Sequence, residues 1–175
     1  MKYALVYGSL AGLVIVSVML TGIVLGGLDS VFASMWFGYL VMLVAMTFMF
    51  VGVKRYRDVE LGGVIRFWSA LRMGLAIASV AAVAYIIVWE IYLASTGYRF
   101  MDDYIASIAA ARQAEGASPA AIAEEMAGME WMREQYRNPL FRVPVTFLEI
   151  FPVGFVVALV SAALLRNPRL LPAPR

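Results

Sequence analysis

Residues 4–27 read ALVYGSLAGLVIVSVMLTGIVLGG and residues 31–53 read VFASMWFGYLVMLVAMTFMFVGV, and neither run contains a charged residue. A helix needs about 20 apolar residues to cross the hydrocarbon core of a bilayer, so each run is long enough to span one. Only Leu28, Asp29 and Ser30 separate the two runs. Because a connection this short cannot cross the membrane again, the sequence predicts an antiparallel pair of spanning helices.

Two further apolar runs follow, over residues 64–95 and 145–165. The third run is free of charge from Met73 to Trp89, and its ionisable residues lie near its ends, at Arg66, Arg72 and Glu90. The fourth run carries Glu149 and Pro152 in its opening turns. Arg72 lies close enough to the start of its run for its side chain to reach the headgroups by snorkelling.

The composition agrees with four spans. Of the 175 residues 63% are hydrophobic and 15% are charged, and the mean hydropathy is +0.82. A soluble domain has about half apolar and about a quarter charged residues. The sequence therefore predicts an all-α polytopic membrane protein, a single membrane domain over residues 1–175. A cleaved signal peptide is the alternative for the first run, since Lys2 precedes it, but signal h-regions are only about 7 to 15 residues long.

Several function classes lack the residues they need. The chain has no Cys and no His, which excludes disulfides, thiolate zinc sites and histidine bases. Its net charge of +2 gives no basis for nucleic-acid binding. We therefore expect a protein that is not an enzyme, with no cofactor, no metal site and no nucleic-acid partner.

The basic residues predict an orientation. Short loops rich in Lys and Arg stay in the cytoplasm. With four crossings, eight basic residues fall on one side: Lys2, Lys54, Arg55, Arg57, Arg66, Arg166, Arg169 and Arg175. We therefore expect both termini in the cytoplasm.

Between the third and fourth spans, at about residues 99–137, the pattern becomes amphipathic and predicts a periplasmic helical hairpin. Ser118 and Pro119 are typical of a helix start, and Asn138 followed by Pro139 ends the second arm. The first arm has apolar residues at helical spacing at Met101, Tyr104, Ile105 and Ile108, and the second at Ile122, Met126, Met129, Met132 and Tyr136. The two stripes pack on each other in the interpretation we favour, and on an envelope protein partner or the membrane surface in the other.

Small residues recur at four-residue spacing in three of the spans, where they allow close helix approach in lipid. These residues are Ala4, Gly8 and Gly12; Ala70, Gly74, Ala78 and Ala82; and Gly154, Ala158 and Ala162. We expect them to serve packing within the chain, and a homo-oligomer is left open.

Two sets of charged residues are candidate sites. Glu90 and Glu149 should lie at similar depth near the outer boundary, where a carboxylate pair could carry a proton or bind a cation or ligand. In the alternative, each carboxylate lies at the interface, bonded to Arg99, Arg142 or a tyrosine hydroxyl. The second set, Lys54, Arg55 and Arg57, is a candidate contact for anionic membrane lipids.

Two stretches carry a family resemblance. Residues 50–58 (FVGVKRYRD) with Gly62, Gly63, Val64, Ile65 and Phe67, and residues 138–142 (NPLFR) with 146–149 (TFLE) and 152–154 (PVG), resemble the bacterial family catalogued as domain of unknown function 4199. The resemblance implies a small polytopic protein of the bacterial inner membrane and supplies no reaction or ligand. It puts Arg57, Asp58, Gly62, Gly63 and Glu149 among its motif positions.

Two functional hypotheses remain open. The first is a non-enzymatic accessory or scaffold protein of the bacterial envelope. The second is a small transporter or lipid-handling protein that uses Glu90 and Glu149 around a polar cavity.

Overall fold

The computed structural model describes residues 1–26 and 35–173, in which all regular structure is helical. Its helices are α1 (Lys2–Gly26), α2 (Met35–Ala45), α3 (Thr47–Glu60), α4 (Phe67–Ser95), α5 (Phe100–Ala114), α6 (Pro119–Tyr136) and α7 (Pro139–Leu165). Helices α2 and α3 meet at Met46 and form one apolar stretch.

Four of these stretches are long and apolar enough to cross a membrane: Lys2–Gly22, Trp36–Glu60, Phe67–Ser95 and Pro139–Leu165. The prediction of four helices able to span a membrane is confirmed. The last helix begins six residues earlier than its apolar run because Asn138 caps it, accepting a hydrogen bond from the Leu140 amide at 3.0 Å. The predicted connection through Leu28, Asp29 and Ser30 lies outside the described residues.

The helices alternate in direction. Tyr3 donates to Glu60 at 3.0 Å and the Tyr7 ring packs on Gly52, so α1 and α3 are antiparallel. Helix α4 runs parallel to α1 and antiparallel to α7, and it packs against both of them as well as α3. The start of α1 and the end of α7 therefore lie at one end of the bundle, and α5 and α6 lie at the other.

Glycines allow the backbones of these helices to approach closely. A Cβ atom added at Gly74 would lie 2.8 Å from the Ala158 Cβ, and one at Gly154 would lie 2.8 Å from the Ala78 Cβ. At Gly8 the added atom would lie 2.7 Å from the Ile77 carbonyl oxygen. The small residues thus pack within the chain, as the sequence predicts.

Helices α5 and α6 pair antiparallel. Arg112 binds Glu125 at 3.0 Å near one end of the pair, and Arg133 binds Asp102 at 2.5 Å near the other. Most residues of the two apolar stripes are half-buried, Tyr104 being exposed. This agrees with the interpretation that the stripes pack on each other. The Arg133 guanidinium has its pKa raised by its hydrogen bonds to Asp102 and Glu130.

Candidate functional site

The first ionic cluster joins α4 to the start of α7. Arg142 forms a bidentate pair with Glu90, its Nε and Nη2 atoms each lying 2.6 Å from a carboxylate oxygen. Its Nη1 atom donates to the Tyr136 carbonyl at 2.7 Å. The Arg142 residue is only 2% exposed. Because Nε, Nη1 and Nη2 of the guanidinium all donate hydrogen bonds, Arg142 fixes the position of α7 along α4 at this end of the bundle.

Aromatic side chains enclose this cluster. The Trp89 indole N–H donates to the Tyr136 hydroxyl at 2.9 Å, and the Arg142 guanidinium lies 5.0 Å from the Tyr98 ring centroid. Tyr98 has a positive φ of 58°, which is uncommon for a bulky residue, in the turn after α4. Burial raises the pKa of the Tyr136 hydroxyl. The cluster therefore links α4, α6 and α7 through hydrogen bonds and cation–π contacts.

Glu149 has a different environment from Glu90. Both oxygens of Glu90 accept from Arg142, as in the interfacial alternative. Glu149 lies exposed on α7 and makes no hydrogen bond or ion pair with the residues described in 1–26 and 35–173. The Tyr85 and Tyr136 hydroxyls lie within electrostatic range of its carboxyl group. The predicted Glu90–Glu149 site thus has one carboxylate already bound and one that has no partner among the residues that the structure describes.

The second ionic cluster lies at the opposite end of the bundle, around Arg57. The Arg57 side chain is fully buried and binds Asp58 at 2.7 Å. Its other donors bind backbone carbonyls of Leu170 at 3.0 Å and Leu171 at 2.5 Å, in the segment after α7. Arg57 therefore fixes the C-terminal segment against α3.

This geometry corrects the lipid contact that the sequence suggested for Arg57, because a guanidinium with no exposed surface cannot meet a headgroup. Lys54 is half-buried and binds Asp58 at 2.5 Å. Arg55 is exposed, so its contact with anionic lipid stays a prediction.

The turn after α3 supports the same cluster. Gly62 and Gly63 have φ values of 64° and 88°, and the Gly63 amide donates to the Arg57 carbonyl at 3.0 Å. Glycine adopts this left-handed backbone without steric cost and ends a helix in this way. Sequence reasoning missed the contact between Arg57 and the C-terminal segment. Its partners are backbone carbonyls, and these leave no residue-type signal.

Replacing Arg57 with methionine should free the C-terminal segment. Loss of a charge-assisted hydrogen bond costs about 1.5–3 kcal/mol, and about 1.4 kcal/mol changes an opening equilibrium tenfold. We expect trypsin to cleave after Arg169 at least about tenfold faster in Arg57→Met, measured on intact protein in detergent micelles. Arg55→Met, which removes an exposed neighbouring charge, should leave the cleavage rate unchanged. Equal rates in the two variants would contradict the assigned role.

The four apolar helices and their ionic clusters define a multi-pass helical membrane protein. The family model described as Protein of unknown function (DUF4199) matches residues 6–167, and the chain belongs to this family. Comparison with curated proteins and with solved structures gave no match.

Proposed function

We propose that the protein is a non-enzymatic accessory or scaffold protein of the bacterial inner membrane, with both termini in the cytoplasm. In this orientation α5 and α6 lie in the periplasm and bind an envelope protein through the outward face of α6. The basic residues at the end of the bundle that holds both termini support the orientation.

The outward face of α6 is the observation that carries the proposal. We define this face by its exposed residues Glu124, Ala127, Trp131 and Glu134. Glu124 and Glu134 make no ion pair with the described residues, although most other charges of α5 and α6 are paired. Trp131 is 59% exposed. Tryptophan is enriched among the residues that dominate binding energy, so Trp131 suits an anchor for a partner protein. The carboxylates on either side of it, unpaired among the described residues, favour a partner with a basic surface.

The ion pairs favour this role over transport or lipid handling through Glu90 and Glu149. A polar pathway between these two residues needs both carboxylates to be free for a ligand. Arg142 binds both oxygens of Glu90, and breaking such a buried pair is costly. The cluster is thus better suited to holding helices together than to exchanging ions.

A photo-crosslinking amino acid placed on α6 tests the proposal. With the probe at Glu124 or Ala127 in living cells, we expect the same discrete protein adduct, because both positions lie on the outward face. The probe at Met129, on the half-buried inward stripe, should give none. With the probe at Ala127, the double charge reversal Glu124→Lys and Glu134→Lys should lower the adduct yield about tenfold or more, since like charges then oppose a basic partner.

The control for altered net charge is the double reversal Asp103→Lys and Glu115→Lys near the two ends of α5, which changes the net charge by the same amount and should leave the adduct unchanged. The proposal fails if the outward positions give only lipid adducts. It also fails if the double reversal on α6 has no larger effect than the double reversal on α5.

A further inference from the structure

Glu149 lies on the part of α7 that faces away from the bundle. The buried residues of α7 include Thr146, Ile150 and Gly154, whereas Glu149 is exposed. Its neighbours on the exposed face are apolar, and the structure leaves Leu148 64% exposed and Val156 56% exposed. In a spanning helix this face meets lipid, so the carboxyl group lies among hydrocarbon.

The depth of Glu149 separates it from the membrane surface. It follows Arg142 by seven residues, which is about 10 Å along a helix. Tyr98 and Tyr136 lie against the Arg142 guanidinium, and tyrosine is enriched at the membrane interface. The short glutamate side chain does not bridge that distance, so headgroup ammonium ions do not pair with its carboxylate.

The chain supplies no cation to Glu149 within the described ranges. Arg142 is bound to Glu90, and Arg72 lies near the start of α4, at the opposite end of the bundle. The titratable groups within electrostatic range of Glu149 are the hydroxyls of Tyr85 on α4 and Tyr136 on α6. Tyr85 donates to the Met19 sulfur of α1, and Tyr136 accepts from Trp89. Neither hydroxyl therefore offers a positive charge.

The backbone beside Glu149 also lacks a donor. Pro152 has no N–H, so the usual helical hydrogen bond to the Leu148 carbonyl is missing. An unpaired carboxylate in a lipid-facing position is costly, and the missing Pro152 N–H removes one backbone donor from its surroundings. A bound proton removes the charge of the carboxylate at once, without any other group from the chain.

We propose that Glu149 is a proton-binding site inside the membrane, with a carboxyl group that is neutral near pH 7 and reached from the lipid phase. Its only chemistry is the reversible addition of one proton to a carboxylate oxygen. The site is independent of the outward face of α6 and goes beyond the scaffold role, because it would let the bundle respond to protons.

Dicyclohexylcarbodiimide tests this site, since it dissolves in lipid and adds to protonated carboxyl groups. The acid proton moves to a carbodiimide nitrogen, the carboxyl oxygen bonds to the central carbon, and rearrangement gives a stable N-acylurea with no leaving group. The full chain in phosphatidylcholine vesicles would be treated near pH 7 and mapped by peptide mass spectrometry. We expect label on Glu149 to exceed label on Glu90 by about tenfold or more, because Arg142 binds both carboxylate oxygens of Glu90 at 2.6 Å and so blocks their reaction.

A pH series, a change of lipid and a variant at Glu149 extend this experiment. Labelling of Glu149 should fall as the pH rises, and vesicles containing phosphatidylethanolamine should give the same yield as phosphatidylcholine. E149Q should lose the label and keep the helical circular dichroism of the parent chain. If E149Q does not fold, the comparison of Glu149 with Glu90 in the parent protein still decides.

The inference is overturned if Glu149 stays unlabelled or if Glu90 reacts equally. It is also overturned if phosphatidylethanolamine suppresses the label, since a headgroup ammonium would then be the partner. Loss of the α6 crosslink would leave this result unaffected, so the two proposals fail separately.

Discussion

Replacing Arg142 with leucine is expected to lower the free energy of unfolding by about 3–5 kcal/mol. The substitution leaves the Glu90 carboxylate at the end of an apolar helix without its two donors at 2.6 Å. It also removes the bond to the Tyr136 carbonyl and the contact with the Tyr98 ring. Unfolding in mixed detergent micelles, followed by tryptophan fluorescence, measures the loss, and Trp89 reports locally through its bond to Tyr136.

Two variants show whether the loss comes from the unpaired carboxylate. The double variant Glu90→Leu with Arg142→Leu should recover most of the stability, because an apolar pair of similar volume often replaces a buried ion pair at little cost. Arg133→Leu, which breaks a pair with about a third of each side chain exposed, should cost less than about 1 kcal/mol. A loss of similar size in Arg142→Leu and Arg133→Leu would contradict the assigned role.

Gly154→Leu is expected to destabilise the bundle by about 3 kcal/mol. The first added carbon would already lie 2.8 Å from the Ala78 Cβ, closer than van der Waals contact permits. An added Cβ at Gly74 would likewise lie 2.8 Å from the Ala158 Cβ. If α4 and α7 move apart to make room at Gly154, they therefore also lose the close contact between Gly74 and Ala158. The same micellar unfolding experiment measures the change, and Gly154→Ala should give a smaller loss in the same direction.

Gly38→Leu is the matched control because Gly38 lies in an apolar helix, α2, where no atom of the described residues lies within 4 Å of an added Cβ. A leucine there meets open space and has the better helix propensity. We expect its unfolding free energy to equal or exceed that of the parent chain. If Gly38→Leu and Gly154→Leu lose the same stability, close packing at Gly154 does not explain the effect.

The candidate sites were less predictable than the helices. The sequence placed Glu90 and Glu149 at similar depth, but Glu90 binds Arg142, which lies seven residues before Glu149 on α7, so the two carboxylates lie at different depths. Arg142 was named as one of several candidate partners, and the structure selects it for Glu90 alone. Arg57 was assigned to lipid because a basic residue beside an apolar run is most often exposed. The packing of the C-terminal segment against α3 reverses that assignment.

The sequence by itself determined the four spanning helices, because hydrocarbon requires every backbone donor to be bonded inside the helix and a run of about 20 apolar residues satisfies that locally. It also determined the helical pair at residues 99–137, through local signals such as Ser118 and Asn138. Only the tertiary structure decided which acid meets Arg142, why Arg57 is buried, and that Glu149 has no partner among the described residues. These outcomes depend on the rotation and register of helices far apart in the chain, which are set by close contacts such as that between Gly154 and Ala78.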